Sequence, residues 1–185
     1  TFDGCTKLTS VPETGWKDNM YYTFCNCRSL NQKIVIESAS ALQSTFFNCS
    51  SLSITPTLPE TANASMDSTF WYCTSLEYPP QTPLKIISLC NCYRGCSSLK
   101  EPPIIPNNVG NILGLVQNSQ ITNITIPLDT INSYENALQN CTQLTDITWS
   151  GKRTADFNLN KLGAPSYTQD DIQELVPEHL EDLYK

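Results

Sequence analysis

Apolar residues recur along this chain in one fixed group: an aromatic or aliphatic residue, a cysteine three positions later and a leucine six positions later. We number the seven copies repeats 1 to 7. They begin at Phe2, Phe24, Phe46, Phe70, Tyr93, Val116 and Leu138. Successive cysteine positions lie 22 to 24 residues apart, and repeat 6 varies the group with Ser119 and Ile121. Self-similarity at so narrow a period is the signature of a repeat architecture.

The residues before each cysteine predict a short helix that ends at a corner. An apolar residue stands four positions before the aromatic one, so that the three apolar positions fall at i, i+4 and i+7, on one helix face. The residue just before the cysteine forms what we call the corner column: Gly4, Asn26, Asn48, Tyr72, Gly95, Asn118 and Asn140. Glycine and asparagine tolerate positive φ, so we expect this column to end the helix in a left-handed conformation, with Tyr72 as the misfit.

A short strand is predicted after each leucine. Residues 121–127 and 144–149 alternate between apolar and polar side chains, which is typical of a strand with one buried face. Proline pairs crowd the same zone of the middle repeats, and proline lacks the N–H that a ladder needs. We therefore expect the sheet to be thin or interrupted between about residues 53 and 106, and regular only in the later repeats.

No single repeat of this size can bury its own apolar face, so the repeats must stack. The predicted fold is an α/β solenoid of about seven repeats over residues 1–149, with parallel short strands on one side and short helices on the other. Residues 150–167 are predicted to add a closing strand and a hinge. Residues 168–185 are predicted to form an acidic helix, split at Pro177, that serves as a helical cap or as a linker to another domain.

Six of the nine cysteines occupy the repeat position and are predicted to form a structural ladder: Cys5, Cys27, Cys49, Cys73, Cys96 and Cys141. Because Ser119 occupies the equivalent position of repeat 6, the position needs a small side chain rather than a reactive thiol. We therefore interpret the six cysteines as small buried thiols. Disulfides between adjacent repeats stay open as an alternative, since strand spacing falls within the separation that a disulfide spans. The segment around Cys90 and Cys92 resembles a zinc motif, but no second cluster or histidine completes four ligands.

The aromatic-x-x-Cys-x-x-Leu group, followed by a strand and proline at a period of about 23 residues, resembles the BspA-like (treponemal-type) leucine-rich repeats. The resemblance covers roughly residues 1 to 149. It implies a curved stack used for adhesion or partner recognition, without catalysis. The family implies an extracellular setting, on a bacterial cell surface or in a phage tail.

Charge, hydropathy and the absence of catalytic motifs argue against several classes of function. The chain has 185 residues and a net charge of −7, which argues against nucleic acid or anionic membrane as a partner. It has no run of about 18 apolar residues, so we expect no membrane insertion, and no signal peptide is visible. The single histidine, His179, lies among acidic residues of the predicted helix, and no phosphate loop or nucleophile motif is present. We therefore expect no enzyme activity, no cofactor and no metal.

Two candidate binding surfaces follow from the repeats. Side chains two positions after each column leucine vary in type and should point outward: Ser10, Gln32, Ile54, Tyr78, Glu101, Asn123 and Asp146. Trp71 and Tyr72 form a second candidate, because Trp71 falls at a variable outward position and exposed aromatic residues are common contact hot spots. The partner would be a protein or a glycan. The alternative is a structural role, in which the repeats brace or decorate a larger assembly.

Overall fold

The computed structural model describes residues 1–60, 62, 65–152 and 157–164. Within them the regular elements are strand β1 (Asn123–Pro127), strand β2 (Asp146–Ser150) and the four-residue helix α1 (Leu159–Leu162). The remaining described residues form turns, bends and isolated bridges. The predicted cap at 168–185 and residues 165–166 of the predicted hinge lie outside the described residues.

Consecutive repeats stack through backbone hydrogen bonds. In the segment around each aromatic residue, every second N–H donates to a carbonyl of the following repeat. Phe24 N donates to Thr45 O at 2.9 Å, and Asn26 N donates to Phe47 O at 2.7 Å. The intervening N–H of Cys25 closes a local turn on Tyr22 O at 3.3 Å. Each repeat therefore depends on its neighbour for half of the hydrogen bonds of this segment.

The short helices predicted for these segments are wrong, because the chain instead makes successive tight turns. All seven corner-column residues have positive φ, between 58° and 76°, which confirms the corner and includes Tyr72 at 62°. A second left-handed column, which the sequence did not predict, lies four positions earlier: Tyr22, Ser44, Ser68, Asn91, Gly114 and Asn136. A left-handed residue in mid-segment interrupts a right-handed helix, and it turns alternate N–H groups toward the next repeat.

The aromatic position of each repeat builds the centre of the core. Phe24, Phe46, Phe70 and Tyr93 are fully buried, and their rings stack in line along the repeats. The centroids of Phe46 and Phe70 lie 5.4 Å apart at an interplanar angle of 7°. The apolar residues four positions earlier and the column leucines of repeats 2 to 7 surround this stack and are buried with it. The apolar positions were thus assigned correctly to the core, although a turn presents them rather than a helix.

Buried threonines satisfy the turn carbonyls beside this core. The Thr45 hydroxyl donates to Leu42 O at 2.7 Å and is 3.0 Å from Met20 O, and Thr69 repeats the arrangement with Met66 O and Leu42 O. Each hydroxyl therefore links a turn of its own repeat to the repeat before it.

Few residues form regular strands, as expected from the prolines in the strand zone of the middle repeats. β1 and β2 pair in parallel, from Asn123 opposite Asp146 to Pro127 opposite Ser150. Outside these strands, the described residues on this side form isolated parallel bridges between repeats 1 to 3, Trp16 with Ile36 and Val35 with Thr57. The prediction of regular strands in the later repeats only is therefore confirmed.

The strand register differs between the early and late repeats. In repeats 2 to 5 the buried side chains lie four and six positions after the column leucine, as for Ile34 and Ile36. In repeat 6 they lie three and five positions after the column residue, at Ile124 and Ile126. The early repeats thus carry one extra residue between the leucine and the buried strand face.

A partial further turn packs against repeat 7. Phe157 stacks on Tyr134 with 4.5 Å between ring centroids, and Leu138 N donates to Leu162 O at 2.9 Å. The closing strand predicted to begin near residue 156 is wrong over the described residues 157–162, which end in helix α1. The Asn158 side chain accepts from Asn160 N at its start, and Gly163, at φ 75°, ends it.

Candidate functional site

The repeat cysteines link neighbouring repeats by hydrogen bonds from their thiols. Each buried thiol donates to the carbonyl of the aromatic-position residue one repeat earlier: Cys27 to Phe2, Cys49 to Phe24, Cys73 to Phe46, Cys96 to Phe70, and Cys141 to Val116. The Sγ to O distances are 3.0 to 3.2 Å. Ser119 fits the same position as a small donor, and its Oγ lies 3.5 Å from Cys141 Sγ.

These thiols are suited to structure rather than to chemistry. All nine cysteines are free. Burial raises the pKa of the Cys27 thiol to about 11, and burial also raises the pKa of Cys73 well above its usual range. A protonated thiol can donate a hydrogen bond but is a poor nucleophile. Cys5, which we predicted as part of the ladder, is exposed and makes no such bond. In the described part of the chain no group of three His, Cys, Asp or Glu side chains could hold a metal ion.

The candidate strand-side face is partly assembled. Asn123 and Asp146 are the first residues of β1 and β2, lie opposite each other and are both exposed. Ser10, Ile54, Tyr78 and Glu101 are exposed and Gln32 is half-buried. The offset of two residues does not select equivalent positions throughout: in repeats 2 to 5 the candidate lies two residues before the first buried strand position, whereas Asn123 and Asp146 directly precede theirs.

Sequence reasoning missed several exposed apolar side chains on the proline-interrupted part of the chain. Leu84, Ile87 and Ile104 are 63% to 70% exposed, and Ile54 and Tyr78 belong to the same segment. A signal was available, because Ile104 directly follows a proline pair and lies between the buried positions of repeat 5. Prolines in a strand zone indicate an interrupted sheet, and the apolar side chains beside them are therefore candidates for exposure.

The second candidate lies on the side of the turns. Trp71 is less exposed than predicted, because Phe47 packs edge-on at 5.5 Å on one side and the Arg94 guanidinium lies 4.9 Å from its ring centroid on the other. Tyr72 is 45% exposed, with its ring against Gly95. Tyr21, two repeats earlier, is 49% exposed and packs on Tyr22. The tyrosines therefore supply the accessible aromatic surface, and Trp71 supports it.

Helices of membrane-spanning length and hydropathy do not occur in the part of the chain that the structure describes.

Comparisons with known proteins agree with the repeat architecture. A family model described as the BspA type leucine-rich repeat region matches residues 1–100 and 80–175, in six copies. The chain is similar in structure to a leucine-rich repeat protein from T. pallidum, with 15% sequence identity and a TM-score of 0.59, over 92% of this chain and 82% of that one. A comparison with curated proteins found no match.

The chain is also similar to a leucine-rich repeat protein from Bacteroides ovatus, with 18% identity and a TM-score of 0.53 over 68% of this chain. It spans about a third of that protein's length, 33%. At such identities the structures support the fold alone, whereas the family model covers most of the sequence. This chain therefore belongs to the BspA-type leucine-rich repeat family.

Proposed function

We propose that this chain is a non-enzymatic recognition and adhesion module that binds a protein or glycan partner at a bacterial cell surface or as part of a phage tail. Its family supports a role in interactions. The observation that carries the proposal is that, besides Tyr72 on the turn side, five large apolar side chains are exposed between residues 54 and 104: Ile54, Tyr78, Leu84, Ile87 and Ile104. Large exposed apolar area beside polar residues is typical of an interaction site.

Tyr78 is the best anchor in this segment. Its backbone carbonyl accepts the Thr55 hydroxyl at 2.9 Å, so the main chain is held from the neighbouring repeat. Its side chain is nevertheless 52% exposed. A tyrosine on a fixed backbone loses little entropy when a partner buries it, and tyrosine is enriched among hot spots.

Charged side chains border this anchor. Lys100 and Glu77 form an ion pair at 2.9 Å between adjacent repeats, with both side chains partly exposed, and Glu101 is exposed next to them. An apolar centre with a charged rim is the usual anatomy of a protein interface. We therefore favour a protein partner on this side of the molecule.

A protein and glycan array with the purified chain tests this function. We expect at least one reproducible partner, with binding lost in Tyr78→Ala and weakened in Glu101→Ala. Thr148→Ala, at an exposed position of β2 away from this segment, is the matched control and should bind normally. Unchanged binding by both Tyr78→Ala and Glu101→Ala would show that the binding site lies on another surface of the molecule.

The same preparation distinguishes recognition from a structural role. If the repeats instead brace or decorate a larger assembly, the chain should form large oligomers in sedimentation experiments and show no partner on the array. Antibodies against the chain should label intact cells or virions if the proposed location is right, and lysed cells only if it is wrong.

A further inference from the structure

Tyr78 lies in a row of exposed side chains whose chemistry changes along the stack. Ile54, Tyr78 and Glu101 stand at equivalent positions of repeats 3 to 5, each two residues before the first buried strand position. Asn123 and Asp146 continue the row in repeats 6 and 7, opposite each other at the start of β1 and β2. From repeat 3 to repeat 7 the row therefore passes from two apolar side chains to an acid, an amide and a second acid.

The repeats that carry this row are joined by backbone hydrogen bonds. In repeats 4 and 5, Lys100 N donates to Glu77 O at 3.1 Å. Neighbouring strands lie about 4.8 Å apart, so Glu101 is one step from Tyr78 and Asp146 is three steps, about 14 Å, away. An extended segment of about five residues, at about 3.3 Å per residue, spans the distance from Tyr78 to Asp146.

The free charge of this row is negative. Lys100 is paired with Glu77 at 2.9 Å and is thus already engaged beside Glu101. Within the ranges that the structure describes, neither Glu101 nor Asp146 belongs to an ion pair, and both side chains are exposed. A partner with positive charge complements such a row, whereas a partner with acidic side chains is repelled by it.

We infer that this row binds a basic, extended protein segment. One apolar or aromatic side chain of the segment packs against Tyr78 and Ile54, and its lysine or arginine side chains face Glu101 and Asp146. The inference rests on the proposed function, because it names the partner chemistry of the same site. The tyrosine ring suits such a segment in two ways, since it packs against apolar groups and its face attracts a neighbouring cation.

The segment meets side chains of the row rather than its backbone. Pro79, Pro80, Pro102 and Pro103 have no N–H to donate. The N–H groups of parallel strands point to neighbouring strands within the sheet, and not out of its face. Affinity on this face therefore depends on side chains, which substitutions can change one at a time.

Selection from a displayed library of random linear 12-residue peptides tests the inference, with the purified chain as the target. Peptides that also bind the Tyr78→Ala variant are removed. We expect the remaining peptides to share an apolar or aromatic residue with at least one lysine or arginine within five positions of it. Their binding should weaken as the salt concentration rises, because salt screens exposed charges.

Variants that neutralise single charges identify the acids. With a selected peptide, Tyr78→Ala should weaken binding by about tenfold or more, and Glu101→Gln and Asp146→Asn by about two- to fivefold each. Glu60→Gln removes the same charge at an exposed position outside the row, and this matched control should bind like the parent. All four variants should unfold like the parent, because the substituted side chains are exposed.

The inference is overturned if no Tyr78-dependent peptide is selected or if such peptides lack basic residues. It is also overturned if Glu101→Gln and Asp146→Asn bind as tightly as the parent, or if Glu60→Gln weakens binding as much as they do. The proposed function is tested separately by the array. A protein or glycan on the array that needs Tyr78 but neither acid would support that function and overturn the inference of a basic segment.

Discussion

The ring of Tyr72 occupies the space in which a side chain at Gly95 would begin. A Cβ at position 95 would lie 2.5 Å from Tyr72 Cδ1 and 2.7 Å from Cε1. Both residues have positive φ, 62° and 73°, so two left-handed corners of adjacent repeats fit together. The bulky corner residue of repeat 4 is tolerated because the following corner has no side chain.

Gly95→Ala should destabilise the protein for two reasons. The left-handed conformation costs an alanine about 1–2 kcal/mol, and the new methyl group must displace the Tyr72 ring. In a Tyr72→Asn background the same change should cost only the first of these contributions. Urea unfolding of the four proteins of this double-mutant cycle gives the coupling free energy. Equal costs of Gly95→Ala in both backgrounds would show that the ring does not constrain position 95.

Phe70→Ala should be among the most damaging single changes. Phe70 is fully buried and stacks between Phe46 and Tyr93, each at 5.4 Å. Removing it leaves a cavity in the middle of the stack, for which we expect a loss of about 3–5 kcal/mol in the free energy of unfolding. Tyr72→Asn, an exposed aromatic residue two positions away, is the control. A loss below about 1 kcal/mol would contradict continuous stacking of these rings.

The thiols should differ sharply in reactivity. Of the nine cysteines one is exposed, Cys5, one is half-buried, Cys90, and seven are buried. Because the thiolate is the reactive form, an aromatic disulfide reagent should modify Cys5 quickly in the native protein, Cys90 slowly, and the rest only after unfolding. Cys5→Ser should remove the fast phase. Rapid modification of several thiols in the native state would contradict the burial of the repeat cysteines.

Stability should fall on the alkaline side. Burial raises the pKa of Cys27 from an ordinary value near 9.0 to about 11 and raises the pKa of Cys49 further. Above pH 9 the unfolded chain therefore binds fewer protons than the folded chain, and the free energy of unfolding decreases as pH rises. The contribution of the Cys27 thiol is complete below pH 9 and is lost on rising through the window from 9 to about 11, whereas that of Cys49 continues to fall at higher pH.

Cys49→Ser provides the comparison for this pH effect, since serine occupies the equivalent position at Ser119 and does not titrate in this range. Between pH 9 and 10.5 the variant should lose about 1 kcal/mol less per pH unit than the parent, because half of the unfolded thiols are still protonated at pH 9. The measurement is urea unfolding at several pH values, with a reductant present. Identical slopes for variant and parent would mean that Cys49 does not ionise on unfolding.

The sequence sufficed to predict the repeats, the core positions and the left-handed corner, because each rests on a constraint that recurs in every copy. The residue types of Asn26 and Gly95 indicate a left-handed backbone at the corner. The regular spacing of the phenylalanines indicates that they are buried. The helix was predicted wrongly because the i, i+4 and i+7 positions of a helix also fall on one side of two successive tight turns. The second left-handed column was missed because Tyr22, Ser44 and Ser68 have no preference for positive φ, although its later members, Asn91, Gly114 and Asn136, are of types that tolerate it.

The binding surfaces were predictable only in part. Tyr78 stands at a variable position and is exposed, as the repeat alignment predicts, and Tyr72, the misfit of the corner column, is exposed as well. The placement of Trp71 depends on Phe47 and Arg94 in two other repeats, and a single repeat contains no information on such neighbours. The one-residue shift of strand register before repeat 6 likewise follows from how the repeats pair.

Scalar couplings across hydrogen bonds, recorded by NMR on the isotope-labelled chain, test most directly whether tight turns stack from repeat to repeat. We predict a coupling from the amide of Phe46 to the carbonyl of Thr69, 23 residues later, across the 2.9 Å hydrogen bond between them. Equivalent couplings should join Phe24 to Thr45 and Phe70 to Cys92. A coupling from Phe46 to the carbonyl of Leu42 instead, as in a helix, would contradict the account.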